Sequence, residues 1–377
     1  MVPLQSCPIA RPPGPHPPAE RAAVQQPEQA AEVIIGVDTH KDTHTAVALN
    51  ALGARIGAIT ITVSQDGYRQ IEAWACAFGS VRAFGIECTG SYGAGLSRAL
   101  QASGHRVLDV NRADRSARRR HGKDDPLDAE AAARAVLSGQ ATALAKSGTS
   151  SVEMIRHLKL ARDSAVKARA QAMQMLKALI VSAPAELREQ LEGIRGKVRF
   201  VRHLAALQPG PMTSTTASAK VGRRALARRW LSLSEEIEGH DRDLDALAAA
   251  HTPELITAPG IATGTAAEML ILVGDNPERI RSEAAFAKMC GACPVPASSG
   301  KTNRQRLNRG GNRQANAALH RVIVTRMRCH QPTIDYVRRR TAEGKTKAEI
   351  MRCLKRYVAR EVFTHLCKPR QPASETP

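Results

Sequence analysis

Apolar residues enter the chain abruptly at Val33-Ile34-Ile35-Gly36-Val37, a run closed by the acid Asp38. Before it, residues 1–31 carry Pro-Pro-Gly-Pro-His-Pro-Pro and little that could build a core, so they read as a disordered leader outside the fold. The β-rich stretches Thr45–Leu49 and Ile56–Val63 follow, with Gly53 in the turn between them, and the three runs predict a meander. A helical pattern near Gly67–Phe78, a strand over Val81–Glu87, a helix over Tyr92–Ala102, a strand over Arg106–Val110 and a helix near Pro126–Leu137 complete the order βββαβαβα. That order predicts an α/β layer fold on a mixed sheet.

Ser151 to Ala183 contains neither Gly nor Pro, and Val152, Ile155, Leu158, Val166, Met173, Leu176 and Ile180 recur at helical spacing. The expected element is a rod of about 50 Å. After a loop at Gln208–Ser218, Trp230, Leu233, Ile237, Leu244 and Leu247 repeat at steps of 3, 4, 7 and 3. This seam suits a coiled-coil hairpin or a dimer contact, and packing within one chain accounts for it equally. Leu255–Ile261 reads as a helix end with a tight turn, and Thr263–Val273 as the next helix. A basic loop over Gly300–Asn312, a helix over Arg313–Met327 and a basic helix near Lys347–Leu366 follow. The expected organisation is a leader (1–31), an α/β domain (32–147), a helical middle (148–250), a mainly α C-terminal domain (251–368) and a tail (369–377).

Charge changes the picture. The 377 residues hold 55 Lys+Arg against 35 Asp+Glu, a formal charge of +20. Residues 1–150 contribute +2, residues 151–287 contribute +3 and residues 288–370 contribute +16, so the surplus belongs to one C-terminal segment. A polyanionic partner follows. No stretch approaches the roughly 18 apolar residues of a membrane span, and the N-terminus lacks the order of a secretory signal; a soluble, cytoplasmic, nucleoid-associated protein with no membrane partner is expected. The eight cysteines are scattered through a chain long enough for ordinary cores and read as reduced thiols. Cys290-Gly-Ala-Cys293 has zinc spacing but no second pair, and Cys329-His330 completes it poorly, so no zinc is expected. Aromatics at 3% argue against base stacking as the main mode of binding.

Four acids stand out. Asp38 ends the first strand, Glu87 ends the fourth, and Asp125 and Asp128 lie three apart at a helix start, hence on one face. Converging carboxylates repel unless cations fill the gap, and hard oxygen donors suit Mg²⁺ or Mn²⁺. Two such ions can hold both the attacking and the leaving oxygen in phosphoryl transfer. Each acid taken alone also fits a strand-end turn or a helix cap.

A second constellation is Pro294-Val295-Pro296-Ala297-Ser298-Ser299-Gly300-Lys301, leading into Arg304, Arg306, Arg309 and Arg313. A Gly-flanked loop can present a serine, and clustered guanidiniums can stabilise charge on a phosphate under attack. By composition alone, a Ser-Gly turn in a basic binding loop explains it better. Arg112, Arg115, Arg118, Arg119, Arg120 and Lys123 precede the Asp125/Asp128 pair and read either as a solvated loop or as a largely sequence-blind grip on a nucleic-acid backbone. Pro259-Gly260-Ile261 resembles the hairpin of helix-hairpin-helix modules, where backbone amides hold a phosphate, and equally an ordinary helix-turn-helix connection.

At these residues the chain resembles transposases of the insertion sequence 110 family, the DEDD transposases understood as bridge-RNA-guided serine recombinases. The likeness covers roughly residues 32–367 and rests on Gly36-Val37-Asp38-Thr39-His40-Lys41, Gly85-Ile86-Glu87-Cys88-Thr89-Gly90-Ser91-Tyr92-Gly93 and Lys123-Asp124-Asp125-Pro126-Leu127-Asp128-Ala129, with Pro259-Gly260-Ile261, Gly291-Ala292-Cys293-Pro294, Ser298-Ser299-Gly300-Lys301 and Arg309-Gly310-Gly311-Asn312 behind them. The resemblance implies an RNase H-like (RuvC-like) N-terminal domain with Asp38, Glu87, Asp125 and Asp128 as its acids, and a coiled-coil insertion. It also implies a C-terminal transposase domain in which Ser299, or the adjacent Ser298, attacks DNA to form a phosphoserine link. Double-stranded DNA, a structured guide RNA and a homo-oligomer from dimer to tetramer are the partners it implies, with acids and serine supplied by different protomers. Asp124, where the family usually has Thr or Ser, and Cys293, where it often has Thr, depart from the pattern. A structure-selective, metal-dependent endonuclease without serine chemistry is the alternative reading, and a non-catalytic binding protein is a third.

Overall fold

The computed structural model describes residues 32–110, 124–302 and 304–368. The leader, the tail and the basic run containing Arg118, Arg119, Arg120 and Lys123 therefore lie outside the described residues.

Strands β1 (Glu32–Thr39), β2 (Thr43–Asn50), β3 (Arg55–Thr62), β4 (Ser80–Glu87) and β5 (Val107–Val110) form one mixed sheet in the order β3-β2-β1-β4-β5. The β1–β2 and β2–β3 pairs are antiparallel hairpins, while β1–β4 and β4–β5 run parallel. Helices α1 (Gln65–Cys76) and α2 (Ala94–Ala102) make those parallel crossovers. The continuous apolar run of β1 is explained by burial on both faces. Val33, Ile35 and Val37 pack with Ile71 of α1 and Leu96 and Leu100 of α2. Ile34 packs on the opposite face against α3 (Asp125–Leu137), whose Ala129, Ala132 and Ala133 are fully buried.

Beyond the sheet, α4 (Ser151–Val181) and α7 (Thr215–His251) form an antiparallel helical pair. Ile155 near the start of α4 meets Leu244 near the end of α7, and Met173 and Leu176 share a cluster with Trp230. The heptad-spaced Trp230, Ile237 and Leu244 are all buried, so the apolar seam of α7 is used within the chain. Two short helices, α5 (Ala185–Glu192) and α6 (Lys197–Ala205), close the tip where the sequence pattern gave only a connection.

A second core joins α8 (Pro253–Thr257), α9 (Thr263–Val273), α10 (Glu283–Met289), α11 (Arg313–Cys329), α12 (Gln331–Ala342) and α13 (Lys347–Cys367). The segment expected to be a plain basic loop contains a hairpin of two-residue strands, β6 (Val295–Pro296) and β7 (Gln305–Arg306). Helix α9 also leans on the helical pair, where the buried Lys159 bridges Asp163 at 2.6 Å and Glu268 at 3.1 Å. Among the described residues no helix is long and apolar enough to cross a membrane.

Candidate metal centre and serine hairpin

Alternation along a strand decides which side chains of β1 and β4 meet α3. Ile34, Gly36 and Asp38 share one face of β1, and Ala83, Gly85 and Glu87 share the same face of β4. Gly36 and Gly85 are register partners, and both lie directly under α3. A Cβ on Gly36 would run into the Ala129 carbonyl and the Ala133 amide, and one on Gly85 would strike Val136. These two glycines let α3 settle close on the sheet. Its first turn, carrying Asp125 and Asp128, thereby reaches the carboxyl ends of β1 and β4.

The resulting site is built around Asp38, 7% exposed. His40 Nε2 stands 3.7 Å from Asp38 Oδ2 and 3.4 Å from Asp125 Oδ1. Asp38, His40 and Asp125 offer donor atoms that all lie within 4.8 Å of one another, the metal-competent group among the described residues. Burial pushes the Asp38 carboxyl above its ordinary value; His40 pulls it back, and the charges of Asp128 and Asp125 push it up again. Asp38 Oδ2 is a buried oxygen with no hydrogen-bond partner among the described residues. Desolvation, carboxylate crowding and an orphaned acceptor are all relieved by a hard divalent cation, so the donor set fits one.

Glu87 is buried at the end of β4, and its backbone carbonyl accepts the Thr39 hydroxyl at 3.1 Å. That bond ties the two strand ends together, although the Glu87 carboxylate is not one of the three clustered groups. Chain direction reverses at Cys88, which adopts the left-handed region at φ 53°. Its carbonyl accepts the amides of Ser91 and Gly93. Sequence reasoning missed His40: it lies beyond the strand end, and its proximity to Asp125 arises only when α3 packs. The Asp-Thr-His spacing was the available signal.

In the C-terminal half, Ser299 sits near the tip of the β6–β7 hairpin. Its amide donates to the Thr302 carbonyl at 3.1 Å and Thr302 returns the bond at 3.0 Å, a turn that Gly300 permits with φ 54°. Ser298 is exposed as well, but its Oγ is tied across the hairpin, accepting the Arg304 amide at 3.2 Å. Ser299 is exposed, and its hydroxyl makes no hydrogen bond among the described residues. The hairpin base is pinned by Gly311, where a Cβ would collide with the Gly291 backbone, and by the Asn312 amide on the Met289 carbonyl at 2.7 Å.

Two family models match this chain. A transposase model of the DEDD IS110 kind matches residues 35–183, the sheet, α3 and α4. A second, described as Transposase IS116/IS110/IS902 family, matches residues 253–338, from α8 into α12 and across the hairpin. The chain belongs to the insertion sequence 110 family of transposases. The Insertion element IS110 uncharacterized 43.6 kDa protein of Streptomyces coelicolor is 30% identical over 145 residues, 38% of this chain and 36% of that protein. The chain thus spans little more than a third of that relative's length.

The departures from the family pattern are structurally mild. Asp124 caps α3 through its backbone, its carbonyl accepting the amides of Leu127 and Asp128. Cys293 is half-buried against the C-terminal core, where burial pushes the neighbouring Cys290 thiol up to about 12. The basic residues divide into two groups. Arg306, Arg309 and Arg313 line a cleft behind the hairpin, whereas Lys301 and Arg304 are exposed on the hairpin itself. Gly260, at φ 74°, turns the chain between α8 and α9 and backs onto α11, with Arg326 Nε donating to the Pro259 carbonyl at 2.6 Å. Arg326 is also held by both oxygens of Glu361, at 2.7 and 2.8 Å.

Proposed function

We propose that this transposase cuts and rejoins the DNA of an insertion sequence through a phosphoserine intermediate on Ser299. The observation that carries the reading is the pairing, in one chain, of an acid cluster around the buried Asp38, which has an orphaned carboxylate oxygen, with an exposed serine on a basic hairpin. In this reading the N-terminal domain is RNase H-like, with the acids at the carboxyl edge of its mixed sheet.

Asp38, Asp125, Asp128 and Glu87 would hold Mg²⁺ or Mn²⁺, with His40 as a neighbouring donor. When bound, such an ion supplies Lewis-acid polarisation of a phosphate oxygen. The acids alone would repel a phosphate, so the cation is what makes the N-terminal edge compatible with DNA. At the hairpin, Ser299 Oγ forms a bond to phosphorus as the bond from phosphorus to a sugar oxygen breaks. The serine proton leaves to a base or water, and the departing sugar oxygen takes up a proton as a hydroxyl. Attack by the hydroxyl of another strand reverses the step and regenerates serine, so phosphodiester number is conserved without an external energy source. Lys301 and Arg304 lie on the same exposed hairpin as Ser299, and in this reading their cations favour the charge on the attacked phosphate.

Double-stranded DNA is the substrate in this reading, a structured guide RNA selects its sequence, and a homo-oligomer brings the acids of one protomer to the serine of another. The test is trapping: protein incubated with element-end DNA and a divalent cation, then denatured, carries a covalent DNA adduct. A Ser298→Ala, Ser299→Ala double variant that still forms it defeats the serine assignment. Free 5′-phosphate ends without an adduct favour a metal-dependent endonuclease instead.

A further inference from the structure

A cleft of about 1490 Å³ opens behind the serine hairpin, walled by α11, α12 and α13. Arg313, Arg339, Arg352 and Arg360 line it, and Glu349 is the one carboxylate among its described lining residues. Glu349 is engaged locally, capping α13 through Thr346. The cleft is therefore strongly cationic.

Two tyrosines interrupt this charge. Tyr336 of α12 and Tyr357 of α13 meet edge to face, with ring centroids 5.7 Å apart and planes at 80°. Arg339 lies 5.5 Å over the Tyr336 ring, and Arg360 lies 5.9 Å over the Tyr357 ring. Tyr336 packs on the C-terminal core, but Tyr357 is 51% exposed. The chain has only four tyrosines, so a pair placed here is a concentration of a scarce residue. A duplex backbone needs cations and draws nothing from a ring. An exposed ring backed by guanidinium planes instead offers a stacking surface to a base that has left its helix.

We propose that this cleft receives an unpaired nucleotide of the DNA strand engaged at Ser299, its base stacked on Tyr357 and its flanking phosphates paired with Arg313 and Arg352. This rests on the serine reading above for the identity of the strand. DNA is chosen because Pro294 and Arg306, at the foot of the hairpin, also line the cleft, so a strand held at the tip continues into it. The scarcity of aromatics elsewhere confines stacking to a single station and leaves the rest of the interface to backbone contacts.

The experiment uses the full chain without added divalent ion and a short single-stranded DNA carrying 2-aminopurine, with the same sequence as RNA and as duplex DNA for comparison. Wild type and Tyr357→Phe are expected to quench the fluorophore on binding single-stranded DNA. Tyr357→Leu, which keeps an apolar side chain without a ring, is expected to leave it bright and to bind about tenfold more weakly. Equal quenching and affinity for wild type and Tyr357→Leu overturns the stacking station while leaving the serine reading intact. A Tyr357-dependent preference for the RNA strand overturns the DNA assignment. Failure of wild type to bind any DNA overturns the station together with the reading beneath it.

Discussion

Asp38 is held in a state that costs the fold stability whenever its carboxyl is ionised and no cation is bound. Its raised value in the folded protein means that stability is fully present below the ordinary aspartate value near 4 and is lost as pH rises through the folded value. In chelator, Asp38→Asn is therefore expected to melt higher than wild type at pH 7 and to match it near pH 3. Adding Mg²⁺ or Mn²⁺ should raise the melting temperature of wild type and leave Asp38→Asn unmoved, a ligand linkage visible by calorimetry. A second single-residue test lies beneath α3. Gly36→Ala forces a methyl into the Ala129 and Ala133 backbone, and an overpacking cost of about 1–3 kcal/mol, read by denaturant unfolding, should come with a weaker response to divalent ions. At this scale the places of the acids on their elements were legible because strand ends and helix starts are local signals. The place of His40 in the cluster was not, since it depends on the tertiary approach of Asp125.

Among the elements, the strands of the sheet follow the apolar runs closely, because burial on two faces fills the middle of β1 and β2 with apolar residues and leaves the buried polar ones, Asp38, Thr39, His44 and Thr45, to the ends of the strands. The long helices were equally readable, and the heptad positions of α7 show why. Trp230 and Leu244 bury against the first long helix and its neighbours, and Ile237 is buried between them along the helix. Ile237→Ala is expected to cost about 2–5 kcal/mol in chemical unfolding. The elements that sequence pattern did not deliver are short or polar. Helices α5 and α6 follow Pro184 and Gly196, residues that normally signal a loop. Strands β6 and β7 have two residues each and no apolar alternation; the hairpin is fixed by the Ser298–Arg304 and Ser299–Thr302 bonds and by Gly300. Helix α12 begins at a Gln-Pro pair inside a strongly basic stretch that offers little amphipathic contrast. Ser298 and Ser299 are both exposed, and which of them is tied into the hairpin through its hydroxyl was a property of side-chain bonding that spacing could not reveal.

The whole molecule separates its charge by task. The acid cluster that fits a divalent cation lies in the nearly neutral N-terminal part, and the segment with +16 surrounds the hairpin and the cleft behind it. Arg326 anchors that basic segment, buried between the Pro259 carbonyl and Glu361. Arg326→Ala should cost about 3 kcal/mol in global unfolding, since it leaves a carboxylate and a carbonyl without their donor. If nucleic-acid backbone contacts dominate, affinity for DNA should also fall steeply with salt, one power of salt for roughly each phosphate neutralised. The central claim is that a serine on this hairpin becomes covalently joined to DNA. Its most direct test is mass spectrometry of the denatured protein after reaction with element-end DNA and a divalent cation. The expected result is a nucleotide adduct on Ser299, kept in Ser298→Ala and lost in Ser299→Ala. Cleaved DNA with free 5′-phosphate ends and no modified serine would contradict it.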